Sequence, residues 1–337
     1  MAPDTRTSTD FEPSPAVVVG DTADAYFHRA AAVLRAENLN PTVVMEFAAT
    51  RGGILCGIRE VHSLLDRVLP ETEREVWALE DGVSVATGEV VVRIKARYST
   101  FNVYETAIAG TLSQSTSWAT AARECVDAAE GIPVVCLAAR YAHPAVVGHL
   151  EYSAIIGGCT TCSTAHGARM AGVQPWVSLP RGLILVMGET VRAAQAYDKH
   201  MAQEFPRVIP VDTLGDEVEE ALNVSRSLKE RLRAVRLDPP QNRGGTTPDL
   251  VKELRARLDL AGFSYVEIVV TGGLTPERIR EFVEAAAPVN TFGVGKFIAS
   301  SVPSGFSGDI HEVDGKPVAK RGRIPGVTQS RRLTRIL

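Results

Sequence analysis

The sequence predicts an α/β protein, an α+β unit followed by an irregular parallel α/β barrel, and three observations predict it. From about Glu105 onward, apolar β-branched runs alternate with amphipathic helical stretches across short links, the pattern of βα units on a parallel sheet. Consecutive units carry no glycine-rich dinucleotide turn after the first strand, which favours a barrel over a doubly wound sheet. Before Glu105, strands and helices mix without a regular repeat.

The elements follow in order. Met1 to Pro15 is polar and contains Asp4, Asp10 and Glu12. It has neither the basic start nor the apolar stretch of a signal peptide, so residues 1–20 read as a disordered lead-in. Asp21 to Glu37 reads as a helix because Tyr26, Phe27, Ala30, Val33 and Leu34 are spaced for one buried face. Val43 to Ala48 and Val90 to Ile94 read as strands from their β-branched content, with a helix between them at Ile58 to Val68. Thr106 to Ala129 is a long helix dense in Ala, Ser and Thr. Strands are expected at Val134 to Ala138, Val208 to Val211, Ala234 to Leu237, Val266 to Val270 and Thr291 to Val294. Between them, Asp216 to Leu232 carries Val218, Ala221, Leu222, Ser225 and Leu228 on one side. Thr247-Pro248 opens a helix with a cap and a first-turn proline, and Gly262 closes it. Thr275-Pro276 repeats the device, with Ile279, Phe282, Val283 and Ala286 as the buried face.

Composition narrows the function classes. Of 337 residues, 45% are hydrophobic and 23% charged, the profile of a soluble globular protein. A net charge of −4 argues against nucleic acid, because neutralising phosphates needs a basic surface. The basic tail, Lys320 to Arg335, reads as a solvated end. No apolar run is long enough to cross a bilayer, and the chain is expected to be cytoplasmic, with no membrane partner. Of five cysteines, only Cys159 and Cys162 form a CxxC. A closed zinc site wants four ligands and no second pair exists, so no zinc is expected and the pair reads as buried small residues.

Function in a βα barrel collects at the C-terminal ends of the strands. Here those ends carry Arg140 and His143, then Asp212-Thr213, then Arg236 and Asp238, then Thr271-Gly272-Gly273, then Gly293 and Gly295. Glycines admit phosphate oxygens to backbone N–H groups, so Gly272, Gly273, Gly293 and Gly295 are candidate phosphate binders. Arg236 and Asp238, two apart on one strand, point to the same face, as an anion with its metal would require. Asp212 and Asp238 suit a hard cation or sugar hydroxyls. Arg140 suits an anion.

On these residues the chain resembles the nicotinate phosphoribosyltransferases, type II phosphoribosyltransferases, in their shorter archaeal-type branch. The matching stretches include Asp24-Ala25-Tyr26-Phe27, Val103 to Ala107, Ala139 to Pro144, Ile156 to Cys159, Ala234 to Asp238, Thr271 to Leu274, Phe292 to Gly295 and Val313 to Gly322. The resemblance implies an N-terminal α/β sandwich domain, residues 21–105 with 297–337, joined to a barrel, residues 106–296, that holds the active site. It implies transfer of 5-phosphoribose from PRPP (phosphoribosyl pyrophosphate) to a small acceptor, with Mg2+ accompanying PRPP. It also implies a homodimer or higher homo-oligomer with shared sites, Tyr26 reaching across to stack on the acceptor ring. In that reading Arg140 and Arg236 bind anionic groups, Asp212 and Asp238 serve the ribose and magnesium side, with Asp238 a candidate Mg2+ ligand, and the four glycines hold the 5-phosphate. Asp212, Asp238 and Arg236 are the candidate catalytic residues. Tyr26, Arg140, His143 and Arg181 are the candidate substrate contacts.

Three departures bear on the acceptor. Val177-Ser178-Leu179-Pro180-Arg181 stands where the family has a stretch like Gly-Thr-Met-Pro-His, so Arg181 replaces the histidine that ATP phosphorylates. Arg140-Tyr141 replaces a frequent pair of arginines, and no cysteine follows Cys162. Three readings stay open: transfer to nicotinate, transfer to a specialised acceptor such as the aminocyclitol of neamine phosphoribosyltransferases in antibiotic pathways, and a non-catalytic PRPP or nucleotide binder. A hydroxyl acceptor would need a general base, with Asp212, Asp238 and His143 as candidates; a pyridine nitrogen would not.

Overall fold

The computed structural model describes residues 11–337, in two compact units: the chain up to Thr120 together with Ser301–Leu337, and Ala121–Ser300. The boundary falls within the long helix Glu105–Ala128, where the sequence reading set it between residues 105 and 106. The expected disorder of residues 1–10 lies outside the described residues. Residues 11–20 depart from it: Phe11 is buried, Pro15–Val18 form a helical turn, and the Tyr104 hydroxyl donates to the Val18 carbonyl at 2.7 Å. One buried aromatic anchors a stretch that its polar average would leave in solvent. Among the described residues, no helix is long and apolar enough to cross a membrane.

In chain order the strands are β1 (Thr42–Ala49), β2 (Gly53–Ile54), β3 (Glu75–Ala78), β4 (Ser84–Val85), β5 (Val90–Arg97), β6 (Val134–Cys136), β7 (Thr161–Cys162), β8 (Arg207–Pro210), β9 (Leu232–Leu237), β10 (Glu267–Thr271), β11 (Thr291–Val294), β12 (Phe306–Val313), β13 (Lys316–Pro317) and β14 (Thr334–Arg335).

The first unit holds an antiparallel sheet in the order β13-β12-β1-β5-β3-β14. β1 is central and buried along nearly its whole length. Its Met45 and Phe47 join Ile94 of β5, Leu65 of the helix Ile58–Val68, and Phe101 and Leu112 in one core. Each such fully buried side chain contributes roughly 1.5–3 kcal/mol. Glu46 is buried in the same strand and is satisfied there by Arg93 Nε at 2.7 Å and the Thr328 N–H at 3.2 Å. The helix Ala25–Ala36 differs from expectation. It buries only Phe27, and Tyr26 and Val33 of the anticipated apolar face are exposed. The tail also differs: β14 pairs with β3, Arg332 with Glu89, and Lys320 with Asp309, so the basic end is pinned by ion pairs and a strand edge.

The second unit holds six parallel strands in the order β7-β6-β11-β10-β9-β8. Sequence neighbours are sheet neighbours, and β6 pairs with β11, which is the cyclic order of a barrel. β7 and β8 do not pair, so the irregular barrel expected from sequence takes the form of an open half-barrel. The chain between those strands forms three helices, Ala165–Ala171, Arg181–Met187 and Thr190–His200, where a regular unit would have one. Caps form as anticipated: the Thr247 hydroxyl accepts from the Leu250 N–H, and the Thr275 hydroxyl from the Arg278 N–H, each before a first-turn proline. The helix starting at Glu217 ends at Leu228, not Leu232, because Lys229 turns to φ +52° and Leu232 opens β9. Ala286 lies past its helix end, exposed at φ +49°, and is not on the buried face.

Cys136 and Cys162 are register partners on β6 and β7, and all five cysteines are buried and outside any disulfide. Burial, then the nearby Glu151 charge, pushes the Cys162 thiol up to about 12. These are packed thiols, far from the thiolate that redox or metal chemistry uses.

Candidate active site

The expected charged residues of β8 and β9 converge at the strand ends. Pro210 is level with Arg236 across β8 and β9, so Asp212 and Asp238, each two residues further on, lie side by side. Arg181, first residue of the helix Arg181–Met187, inserts its guanidinium between them. Its Nε and Nη2 donate to Asp212 Oδ1 and Oδ2 at 3.1 and 2.6 Å. Its Nη1 donates to Asp238 Oδ2 at 3.1 Å and its Nη2 to the Asp238 carbonyl at 2.7 Å. The Asp238 N–H also donates to Asp212 Oδ2 at 2.5 Å. The Asp212 side chain is fully buried, while those of Asp238 and Arg181 are about one-third exposed, at 30% and 33%. Burial works against the Arg181 charge, but the Asp212 and Asp238 contacts outweigh it and hold its pKa above the ordinary value.

Arg236 lies one step below, with Nη1 donating to Ser178 Oγ at 2.8 Å and Nε buried without an acceptor. Burial, then the Arg181 charge and also that of Arg140, depresses its pKa against the pull of Asp238 and Asp212. Trp176 packs against Val208, Ala234 and Val269 on the same face, and its indole N–H is likewise buried without an acceptor. The segment carrying Trp176, Ser178 and Arg181 is held in place by the Trp176 N–H on the Cys162 carbonyl at 2.7 Å and the Leu179 N–H on the Val208 carbonyl at 2.9 Å.

At three of the four candidate glycines an added side chain would collide with a neighbour. A Cβ at Gly272, φ +96°, would sit 2.2 Å from Asp238 Oδ1. One at Gly293 would meet Leu137 and Thr271 side chains at 2.6 Å, and one at Gly295 the Leu137 carbonyl at 2.6 Å. Gly273, φ +64°, has open space, with only Gln241 Nε2 at 3.6 Å. Arg140 is exposed on the turn Ala139–Tyr141, and the His143 ring caps the next turn, its Nδ1 accepting from the Ala145 N–H at 3.1 Å. That leaves Nε2 as the imidazole's remaining polar atom. Tyr26 belongs to the first unit, where its ring lies against Phe27 at 4.4 Å and its hydroxyl reaches Asp24 at 3.5 Å.

The carboxylates do not fit a protein-bound magnesium. Both Asp212 oxygens and Asp238 Oδ2 are committed to Arg181, leaving Asp238 Oδ1 against Gly272. Among the described residues, no cluster of His, Cys, Asp and Glu is arranged to hold a metal. Asp212 is equally unsuited to take a proton from a substrate hydroxyl. Sequence reasoning missed Trp176, Ser178 and Gln241. Ser178 and Trp176 stood in or beside the stretch singled out for Arg181, but nothing local marks them as facing Arg236 and Ala234.

The N-terminal domain of quinolinate phosphoribosyl transferase matches residues 24–116, and its C-terminal domain matches residues 118–307. The sequence resemblance had pointed to the nicotinate enzymes, and these are among the relatives. A nicotinate phosphoribosyltransferase of Mycobacterium tuberculosis, pncB2, is 30% identical over 224 residues, 66% of this chain and 47% of that protein. The chain thus spans about half the length of the curated relatives it matches. The crystal structure of a nicotinate-nucleotide pyrophosphorylase from Pyrococcus furiosus superposes with a TM-score of 0.86 at 36% identity, covering 97% of this chain and 82% of that one. Human nicotinic acid phosphoribosyltransferase shares the fold, with a TM-score of 0.72 at 18% identity over 91% of this chain and 77% of that one.

Proposed function

The chain belongs to the quinolinate phosphoribosyl transferase family, and from that premise we propose that it transfers the 5-phosphoribosyl group of PRPP to nicotinate, releasing pyrophosphate. The observation that carries the acceptor assignment is Arg236, a half-buried guanidinium held by Ser178 whose buried Nε–H lacks an acceptor. A buried donor without a partner costs about 1–3 kcal/mol, and an acceptor carboxylate removes that cost. Asp212 and Asp238 offset the Arg181 charge, and Arg140 adds a further positive charge near Arg236, which favours an anionic acceptor over a polycationic aminocyclitol. One unpaired Arg236 N–H suits one ring carboxylate better than two.

In the proposed reaction the pyridine nitrogen's electron pair forms the bond to C1 while the C1–O bond to pyrophosphate breaks, its electrons leaving with pyrophosphate. The transition state is oxocarbenium-like. Asp238 Oδ1 accepts a ribose hydroxyl, and its negative charge stabilises the developing cation. The loops at Gly272-Gly273 and Gly293 to Gly295 receive the 5-phosphate on backbone N–H groups, and Arg140 takes the pyrophosphate side. His143 lines the same rim. No general base is needed. Magnesium, in this reading, arrives chelated to PRPP. Tyr26 of a second subunit stacks on the pyridine ring in a homo-oligomer. Arg181, standing where the resembling family has its phosphorylated histidine, leaves turnover uncoupled from ATP.

The test is pyrophosphate release from PRPP with nicotinate, nicotinamide, quinolinate and neamine offered in turn, with and without ATP. Turnover with nicotinate and no ATP consumption is expected. Release with neamine alone, or PRPP binding with no release for any acceptor, would overturn the assignment. Carbon dioxide evolution with quinolinate would redirect it to the two-carboxylate acid.

A further inference from the structure

We propose that the Arg181 guanidinium is a resident cation at the Asp212–Asp238 pair, occupying the place a divalent metal would take and presetting Asp238 as a metal-free acceptor for a ribose hydroxyl. The inference rests on the phosphoribosyl-transfer reading for the word ribose, and on geometry for the rest. Two carboxylates brought together at the ends of adjacent parallel strands repel each other and demand a cation. A hard divalent ion answers that demand with oxygen ligands; a guanidinium answers it with a fork of N–H donors. Here the fork has been chosen. Arg181 makes two bonds to the Asp212 carboxylate, one to the Asp238 carboxylate and one to the Asp238 carbonyl. The Asp238 N–H closes the ring onto Asp212.

The consequence is directional. Asp212 is spent, with both oxygens bonded and its side chain fully buried. Asp238 keeps one oxygen, Oδ1, and the contact with Gly272 together with the Arg181 bond on Oδ2 fixes where that oxygen points. A carboxylate held this way has lost its rotational freedom before substrate arrives, which is the kind of pre-organisation that lowers a barrier. Arg181 is therefore a positioning residue, acting through Asp238. The charged groups facing the pair are Arg181 and Arg236, with Arg140 acting on Arg236 in turn, so removing Arg181 leaves two carboxylates with only Arg236 beside them.

The experiment is Mn2+ binding to the full-length, ligand-free protein, followed by electron paramagnetic resonance, with no PRPP or acceptor present. Wild type should bind no Mn2+ at the pair. Arg181→Gln should gain one Mn2+ per chain, bound about tenfold or more tightly than any ion on wild type, a factor of 10 being about 1.4 kcal/mol. Adding Asp238→Asn to Arg181→Gln should abolish the gain. Arg181→Lys keeps a charge that cannot span both carboxylates, so it should show a weaker gain of the same kind, and it serves if Arg181→Gln fails to fold. A wild-type Mn2+ site lost in Asp238→Asn would overturn the proposal, and so would folded Arg181 variants that bind no Mn2+. Because nothing turns over, a failure here is separate from a failure of nicotinate as acceptor. Conversely, a PRPP KM that rises in Arg181→Lys while the nicotinate KM holds would tie the clamp to the ribose end.

Discussion

Gly272→Ala and Gly273→Ala make a matched pair, adjacent in sequence and opposite in consequence. Both glycines have positive φ, so alanine costs backbone strain of about 1 kcal/mol at Gly273, whose +64° is close to the left-handed helical value, and about 1–3 kcal/mol at Gly272, whose +96° is further from it. Only at Gly272 does the new methyl collide, 2.2 Å from Asp238 Oδ1, where real Cβ contacts essentially never fall below 3.0 Å. Asp238 must swing away and give up its 3.1 Å bond to Arg181. That ion pair is about one-third exposed on both sides, 33% and 30%, so its loss adds only about 1 kcal/mol. The total for Gly272→Ala is about 2–4 kcal/mol, and for Gly273→Ala about 1 kcal/mol, since its nearest neighbour is Gln241 Nε2 at 3.6 Å. At about 2–4 °C per kcal/mol for a domain of this size, Gly272→Ala should melt roughly 5–15 °C below wild type and Gly273→Ala only about 2–4 °C below. Calorimetric PRPP titration should show at least about a tenfold loss for Gly272→Ala, equivalent to about 1.4 kcal/mol. Equal melting losses in the two variants, or wild-type PRPP affinity in Gly272→Ala, would refute the account of the carboxylate's placement.

Three further outcomes are expected. Arg236→Gln should raise the nicotinate KM far more than the PRPP KM, by about 1.5–3 kcal/mol for a lost charged hydrogen bond; steady-state kinetics with each substrate varied reads this directly. Glu60, where burial and then the Asp81 charge push the carboxyl up to about 7, should contribute stability that is present below pH about 4.5 and lost as pH rises through about 7. Glu60→Gln should abolish that loss and gain about 1–2 kcal/mol over wild type at pH 8, read from melting curves between pH 5 and 8. Mixing inactive Tyr26→Ala with inactive Asp238→Ala subunits should restore part of the activity if the sites are shared, and no recovery after verified subunit exchange would confine Tyr26 to its own chain.

Local signals were legible wherever a segment's own chemistry decides its conformation. Thr247-Pro248 and Thr275-Pro276 announced helix starts because a hydroxyl and a ring with no N–H satisfy the first turn from within the segment. The helix Ile58–Val68 and the strand Thr291–Val294 appear with their anticipated bounds. Arg236 lies in β9 and Asp238 one residue past its end, close enough for the Asp238 charge to act on Arg236. The apolar spacing of Ala25–Ala36 misled, because periodicity reports that a face is apolar and not that something covers it. β12 to β14 went unread because their polar residues pair through backbone bonds that no side-chain pattern announces. Whether the parallel strands close was also beyond local reading, since β7 and β8 stand at opposite edges of the sheet with three helices between them in the chain, and pairing at that distance in sequence is not written in either strand's own pattern.

The sequence by itself determined which charges exist at the strand ends and that glycine accompanies them. Tertiary structure decided what those charges do to one another. Arg181 lies 31 residues from Asp212 and 57 from Asp238, and Gly272 meets Asp238 across two neighbouring strands. An ion pair acts over a few ångströms of space regardless of chain separation, so only the folded sheet could show that one arginine bridges both carboxylates and that the Arg236 Nε–H is buried without an acceptor.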